Sequence, residues 1–372
     1  MWSLAQTFDR LRPRLPAALA PEPGLERVLE VAQQLPADLT NCVFLERWLH
    51  DGSARLDMIV RVGRRGRARL AAPGEGWDAR VWTSPEWRRI AGFAREWAIP
   101  DSRLDREVES LWLEFDLDLC SQARAPVIPR VFIDFVRPAE GRSTGAQRQL
   151  VHDALRPLRD DPLDPGLDEP LCAILESLPA GATVPYLGLS LMGGTRRTRV
   201  CVTGLKGELV PYLRAIPWPG DADALNASVL APIAEASGRR PSILHLDLDP
   251  AIAPRIGLEY AFSLSGQPQG RVRETALLDH VVARGWCAAS TRDALRAWPG
   301  RTVELLPHEI WHSRLMRRLS HLKLTWARGE AVELKAYLCF FHELLRGGAV
   351  VGARPVAFGA DVAGPAPASR GE

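Results

Sequence analysis

The sequence predicts an α+β fold in which ten antiparallel strands close into a barrel inside a ring of helices. Three observations carry this expectation. Pairs of strands with period-two alternation occur five times. Amphipathic helical stretches separate the pairs. Corresponding strands recur at intervals of roughly 60 to 75 residues, an internal repeat.

The first pair is CVFLERWL and RLDMIVRV, joined by HDGSA, where Asp51-Gly52 is a strong turn signal. The second is ESLWLEFDLD with PRVFIDFV. The third is VPYLGLSLM with RTRVCVTG, around Gly193-Gly194. The fourth is SILHLDLD with RIGLEYAFSL. The fifth is SHLKLTW with ELKAYLCF, around ARGE. Apolar stripes predict helices over 22–35, 86–98, 143–157, 168–178, 222–236, 273–297 and 306–319. Pro179, Pro241 and Pro299 break the chain near helix ends. Ten such strands can close on themselves and so remove their exposed edges. The alternative is two or three α+β domains whose sheets stay open. On the closed reading, residues 1–354 form one domain and 355–372, rich in Pro, Ala and Gly, a disordered tail.

Composition excludes several classes. The 47 basic and 45 acidic residues give a net charge of +2, which does not mark a dedicated nucleic-acid binder. No apolar run reaches about 18 residues, so no membrane span is expected. The N-terminus, with Asp9 and several arginines, lacks the apolar stretch of a signal peptide. Six cysteines without a CxxC pair read as reduced side chains of a cytoplasmic protein.

Alternation divides each strand between two faces. The more apolar face should meet the helices. The other then carries Phe44, Glu46, Trp48, Asp57, Ile59 and Arg61 in the first pair, and Trp112, Glu114, Asp116, Arg130, Phe132 and Asp134 in the second. The third gives Tyr186, Ser190, Met192, Arg199, Cys201 and Thr203. The fourth gives His245, Asp247, Gly257, Glu259 and Ala261. The fifth gives His321, Lys323, Thr325, Lys335, Tyr337 and Cys339. Arg61, Arg130, Arg199 and Lys335 fall at similar places on four return strands. Inside a barrel such a cluster can hold a diphosphate by charge-assisted hydrogen bonds. Aromatic faces can shield a carbocation, and carboxylates can orient or deprotonate an acceptor. The competing reading is a polar face whose charges pair with one another, as Glu114 and Arg130 could, or the solvent face of an open sheet.

The repeat resembles the ABBA, or PT-barrel, aromatic prenyltransferases over about residues 25 to 345. SHLKLTW with ELKAYLCF is similar to the Lys-x-Tyr strand endings of the fungal-type indole members. That resemblance implies transfer of a prenyl group from a prenyl diphosphate to an electron-rich aromatic small molecule or peptide side chain. By it, Lys323, Lys335, Tyr337 and Arg199 bind diphosphate, with Arg61 and Arg130 assigned by repeat position. Glu46 or Glu114 orients the acceptor. Trp48, Trp112, Phe132 and Tyr186 form the aromatic shield. A second reading is a non-prenylating enzyme that uses His245, Glu114 or Glu259 as acid or base in the same lumen, or an accessory protein that binds a ligand or peptide there. The fourth unit departs from the pattern, offering Glu259 where a basic residue is wanted. No cofactor is implied as required.

Other motifs are weak. DDPLD at 160–164 matches a magnesium-diphosphate signature, but Pro162 and Pro165 break the helix it needs, so it reads as a solvated loop. Asp247 and Asp249 read as a strand-end charge pair, with Mg²⁺ binding beside a diphosphate the alternative. His308, Glu309 and His312 spell HExxH on the expected 306–319 helix, without a clear third zinc ligand, and read as a solvated face. The basic stretch RVGRRGRARL reads largely as a loop. VTGLKGELV lacks the ending of a phosphate loop.

Overall fold

The computed structural model describes residues 3–49, 53–72, 74–117, 126–136, 142–159, 165–192, 197–262, 267–305, 311–346 and 349–351. Residues 160–164, His308, Glu309, the Asp51-Gly52 and Gly193-Gly194 turns and the 355–372 tail lie outside them.

The strands are β1 (Cys42–Trp48), β2 (Leu56–Gly63), β3 (Val108–Phe115), β4 (Arg130–Phe135), β5 (Thr183–Leu189), β6 (Thr198–Thr203), β7 (Ile243–Asp249), β8 (Ala251–Ala261), β9 (Gly300–Leu305), β10 (His312–Trp326), β11 (Glu333–Arg346) and β12 (Ala349–Val351). All pair antiparallel. Strands β1 to β8 run in order, β8 pairs with β10, β10 with β11, and β11 returns to β1. The ten strands read from the sequence therefore close into the expected barrel. Leu338 illustrates the seam, standing opposite Leu45 on one side and Leu319 on the other.

Two short strands extend the barrel wall. The last half of β10 pairs with β8, while His312–Arg317 pairs with β9. At the end of β11, Leu344–Arg346 pairs with β12.

The 306–319 helix is the main correction. His312 onward is strand, so His312 has no helical i, i+4 partner. The register of β10 shifts between Leu319 and His321. That bulge flips the side-chain phase: Met316 faces the lumen before it, His321 and Lys323 after it. A run whose alternation changes phase midway imitates a helical stripe. Two smaller corrections follow local chemistry. Of the basic 61–70 stretch, the first three residues end β2, the next three form a turn, and Arg67–Ala71 is a short helix where a loop was expected. The 273–297 stripe is split into helices Gln267–Ala283 and Ala289–Ala297, with Gly285 at φ +70° in the break.

The helices stand where their caps and stripes require. Ser84 accepts from the Trp87 N–H and Pro85 opens helix Pro85–Ala98, which buries Trp87, Ile90, Phe93, Ala94 and Trp97. Ser143 caps Thr144–Leu155 in the same way. These faces pack on the outer surface of the sheet, against Leu45, Met58, Val60, Leu111, Leu113 and Val131. A second apolar cluster lies inside the barrel: Phe44, Ile59, Trp112, Phe132, Tyr186, Cys201, Met316, Tyr337 and Cys339. Both strand faces are thus buried, which matches the nearly unbroken burial along β2 and β3.

Because Leu338 is fully buried on the closing seam, Leu338→Ala is expected to lower stability by about 2–5 kcal/mol, read as a lower urea midpoint with unchanged slope.

Candidate active site

The strand ends that flank the five hairpin connections lie at one end of the barrel, and the strand ends that lead to helices at the other. Each strand face that points inward therefore brings its hairpin-proximal residues to a common mouth. A cavity of about 220 Å³ opens there. Its wall carries Trp48 from the end of β1, Arg55 before β2, Glu114 and Asp116 at the end of β3, and Arg130 at the start of β4. Arg197 and Arg199 come from the start of β6, His245 and Asp247 from β7, Arg255 and Gly257 from β8. Lys323 and Thr325 end β10, and Glu333 and Lys335 begin β11.

Arg130, Arg199, Lys323 and Lys335, expected as diphosphate ligands from positions up to about two hundred residues apart, thus share one cavity. Glu114, His245 and Trp48 border it too. Arg61 does not. It sits near the far end of β2, opposite Cys42 and Trp112, with its guanidinium over the Trp112 ring at 5.6 Å. The repeat alignment placed it one hairpin end too far; the residue near the start of β2 is Asp57. Glu46 and Tyr337 lie beneath the mouth. Tyr337 stacks on His321 with centroids 3.9 Å apart. Trp112, Phe132 and Tyr186 belong to the buried cluster below. Gly188 leaves room for that cluster, since a Cβ there would lie 2.6 Å from the Phe132 ring.

Sequence reading missed Arg55, Arg197 and Arg255. The alternation contained a signal for Arg255, which shares a face with Gly257 and Glu259, so the fourth unit does supply a cation. Arg55 and Arg197 carried the same signal: they open the runs RLDMIVRV and RTRVCVTG at the parity of Asp57 and Arg199, one residue before β2 and β6 begin.

Most cations are already engaged. Arg199 binds Asp247 with two parallel hydrogen bonds, Nε to Oδ1 at 2.6 Å and Nη2 to Oδ2 at 2.9 Å. Asp249 lies 3.6 Å from Arg197, so both acids of the 247–249 pair face arginines. Arg130 pairs with Asp116 at 3.0 Å, and Arg255 with Glu333. Lys335 donates to Glu46 at 2.8 Å, lies 3.5 Å from Asp57 and stacks on Trp48 at 4.2 Å. Trp48 Nε1 and Arg55 Nε both donate to Asp57. Among the described residues, Lys323 makes no ion pair; its Nζ lies 3.4 Å from His245 Nδ1. Seven basic side chains line the cavity against four acidic ones, an excess that remains with Lys323 uncharged.

Burial and neighbours set the protonation states. Burial pushes Glu46 up to about 7, against the pull of Lys335 and with help from Glu114 and Asp57. Burial likewise pushes Glu259 up to about 8 against Lys323. Burial would raise Glu114 as well, but Arg130, Lys323, Lys335 and Arg199 outweigh it and hold that carboxyl below its ordinary value. Burial, with Lys323 and Arg199, holds His245 well below the usual imidazole range, so it is neutral. The mouth therefore offers an ionised carboxylate, Glu114, among excess positive charge, above two carboxyls that keep their protons at low pH.

No protein-family model and no curated protein sequence matches the chain. Solved structures do. The apo form of the prenyltransferase PriB is similar at a TM-score of 0.50 and 15% identity, covering 90% of this chain and 94% of that one. The ternary complex of PriB with L-tryptophan and dimethylallyl thiolodiphosphate is similar at a TM-score of 0.50 and 14% identity, covering 90% and 96%. The 5-dimethylallyltryptophan synthase from Streptomyces coelicolor is 20% identical, with 91% and 97% covered and a TM-score of 0.45. The chain has the PT-barrel fold of PriB, and the resemblance read from the sequence holds at the level of that fold.

The raised carboxyls have a consequence for stability. Folded-state values near 7 and 8, above the ordinary glutamate value, favour the folded protein fully below about pH 4 and lose that contribution as pH rises through them. The melting temperature is expected to fall on the order of 5 °C from this source between pH 5 and pH 8.5 at constant ionic strength. Glu46→Gln should flatten that slope; an equally steep slope in the variant contradicts the assignment.

Proposed function

We propose that this protein transfers a prenyl group from a prenyl diphosphate to an electron-rich aromatic acceptor, a small molecule or a peptide side chain. The observation that carries the reading is the excess of cations over carboxylates in a cavity at the mouth of a PT barrel. A diphosphate brings the negative charge this cavity lacks. Lys323, with no carboxylate partner among the described residues, is the first ligand, and Arg130, Arg199 and Lys335 surround it. Tyr337 and Arg61 take no direct part in this arrangement.

The chemistry follows from that placement. The C–O bond of the donor breaks, its electron pair leaves with pyrophosphate, and the cations stabilise the charge that develops there. The protein's own lysines and arginines supply this stabilisation, so no metal ion or other cofactor is required. The allylic cation faces Trp48, whose ring already attracts Arg55 at 4.4 Å and Lys335 at 4.2 Å. An aromatic carbon of the acceptor attacks the cation, and Glu114, ionised at the cavity wall, takes the proton whose loss restores aromaticity.

The ion pairs of Arg199, Arg130 and Arg255 support a second reading, a non-prenylating enzyme or an accessory protein that binds a ligand or peptide in the same cavity. Titration calorimetry with dimethylallyl and geranyl diphosphates separates the two. Binding is expected, with Lys323→Ala weaker by about ten- to a hundredfold for the loss of a charge-assisted hydrogen bond. Absence of binding at millimolar diphosphate sinks prenyl transfer. Incubation of the donor with tryptophan, an indole peptide and simple phenols should then give an acceptor heavier by one prenyl group, and Glu114→Gln should lower kcat by about a hundredfold or more.

A further inference from the structure

Three residues on neighbouring strands join the cavity to a buried carboxyl. Glu259 stands opposite Lys323 across the β8–β10 ladder. Its carboxyl instead turns toward His245 on β7, and Oε1 lies 2.6 Å from Nε2. On the other side of the ring, Nδ1 lies 3.4 Å from Lys323 Nζ, at the cavity wall. Gly257 makes this crossing possible. It faces His245 and Thr325 across the two ladders, and a Cβ there would come within 3.1 Å of Lys323 Cε and 3.2 Å of His245 Cβ. Glu259 is 2% exposed, and its Oε2 has no hydrogen-bond partner among the described residues.

Such a chain can hold the same protons in two arrangements. In the charged one, the Lys323 ammonium donates to Nδ1 and the Nε2–H donates to the Glu259 carboxylate. In the neutral one, Nδ1–H donates to the Lys323 amine and the Glu259 O–H donates to Nε2. Passing from neutral to charged breaks the O–H bond at Oε1 and the N–H bond at Nδ1. It forms N–H bonds at Nε2 and at Nζ. No proton enters or leaves. Burial favours the neutral arrangement of an empty site, because charges on Lys323 and Glu259 are both desolvated. An anion in the cavity favours the charged one.

We propose that Glu259 is a positioning residue which, through His245, places an ammonium charge at Lys323 when a diphosphate enters the cavity. The proposal rests on the reading that this cavity binds a diphosphate. The direction of the protonation shifts agrees with it: burial pushes Glu259 up to about 8 and Lys323 below the ordinary lysine value. The other groups facing the chain are Arg199 and Cys201 on β6, Asp247 on β7, Glu46 on β1, Glu114 on β3, His321 on β10, whose Nε2 lies 3.7 Å from Glu259 Oε1, and Lys335 and Tyr337 on β11. Arg199 is held by Asp247 and Lys335 by Glu46, so neither replaces Glu259 as the source of the proton. The Cys201 Sγ lies 3.3 Å from Nδ1, and burial keeps it a thiol.

The test uses inorganic pyrophosphate and the full chain. Affinity and proton uptake are measured by calorimetry from pH 6 to pH 9, in buffers of different ionisation enthalpy. The wild type, Glu259→Gln and His245→Gln are compared, so the protonation of pyrophosphate itself cancels. Each variant is expected to take up more protons than the wild type on binding at pH 8 and above. Its affinity should fall relative to wild type by about tenfold for each pH unit above the pKa of the lysine. If Glu259→Gln does not fold, His245→Gln carries the comparison alone. The same proton count and pH slope in wild type and variants overturns the relay and leaves diphosphate binding standing. A wild type that binds no pyrophosphate at millimolar concentration overturns both.

Discussion

Closure of the strand ladder through β10, β11 and β1 is the constraint from which the rest of the molecule follows. A closed sheet has no unpaired edge, but it has an inside. Every strand must send alternate side chains into a lumen that water reaches only at its ends. Helices cover the outside with leucine, valine and tryptophan. The inside receives whatever lies at the other parity, including charged groups that a simple core would exclude. Those groups remain ionised only where they find partners or reach the mouth.

The lumen is accordingly stratified along its axis. Phe44, Trp112, Phe132, Tyr186 and Tyr337 fill its interior as one buried apolar cluster. The hairpin end is a ring of arginines, lysines and carboxylates. Between them lie Glu46 and Glu259, too deep for free ionisation and too polar for the apolar cluster. The ion pairs at the mouth hold the cations in fixed directions before any ligand arrives. They also compete with a ligand, since Arg199 must share its guanidinium between Asp247 and any incoming anion. Lys323 escapes that competition because its carboxylate neighbour across the ladder is turned away toward His245.

A barrel likeness at 14–15% identity speaks for backbone architecture and not for chemistry. The case for prenyl transfer therefore rests on side chains of this chain. Here the placement sharpened the residue choice. Lys323, Arg130, Arg199 and Lys335 surround one cavity, whereas Arg61 is far along β2 and Tyr337 lies below the wall. Glu114 borders the space where chemistry would occur, while Glu46 is buried behind Lys335.

The sequence by itself determined the ten barrel strands, because alternation and turn residues are local and a repeat multiplies the signal. It also determined which face of each strand turns inward, since apolar parity is a local property. It failed where parity shifts, at the β10 bulge, and it passed over Arg55 and Arg197, which open their runs at the inward parity one residue before each strand begins. Only the tertiary structure decided depth along the lumen. Two residues of equal parity on one strand differ in depth by the rise of the chain, and that rise separates Arg61 from the mouth. Pairing was likewise a tertiary decision. Whether Lys323 meets Glu259 or His245 depends on the space left by Gly257 on the strand between them, and no reading of one strand at a time contains that information.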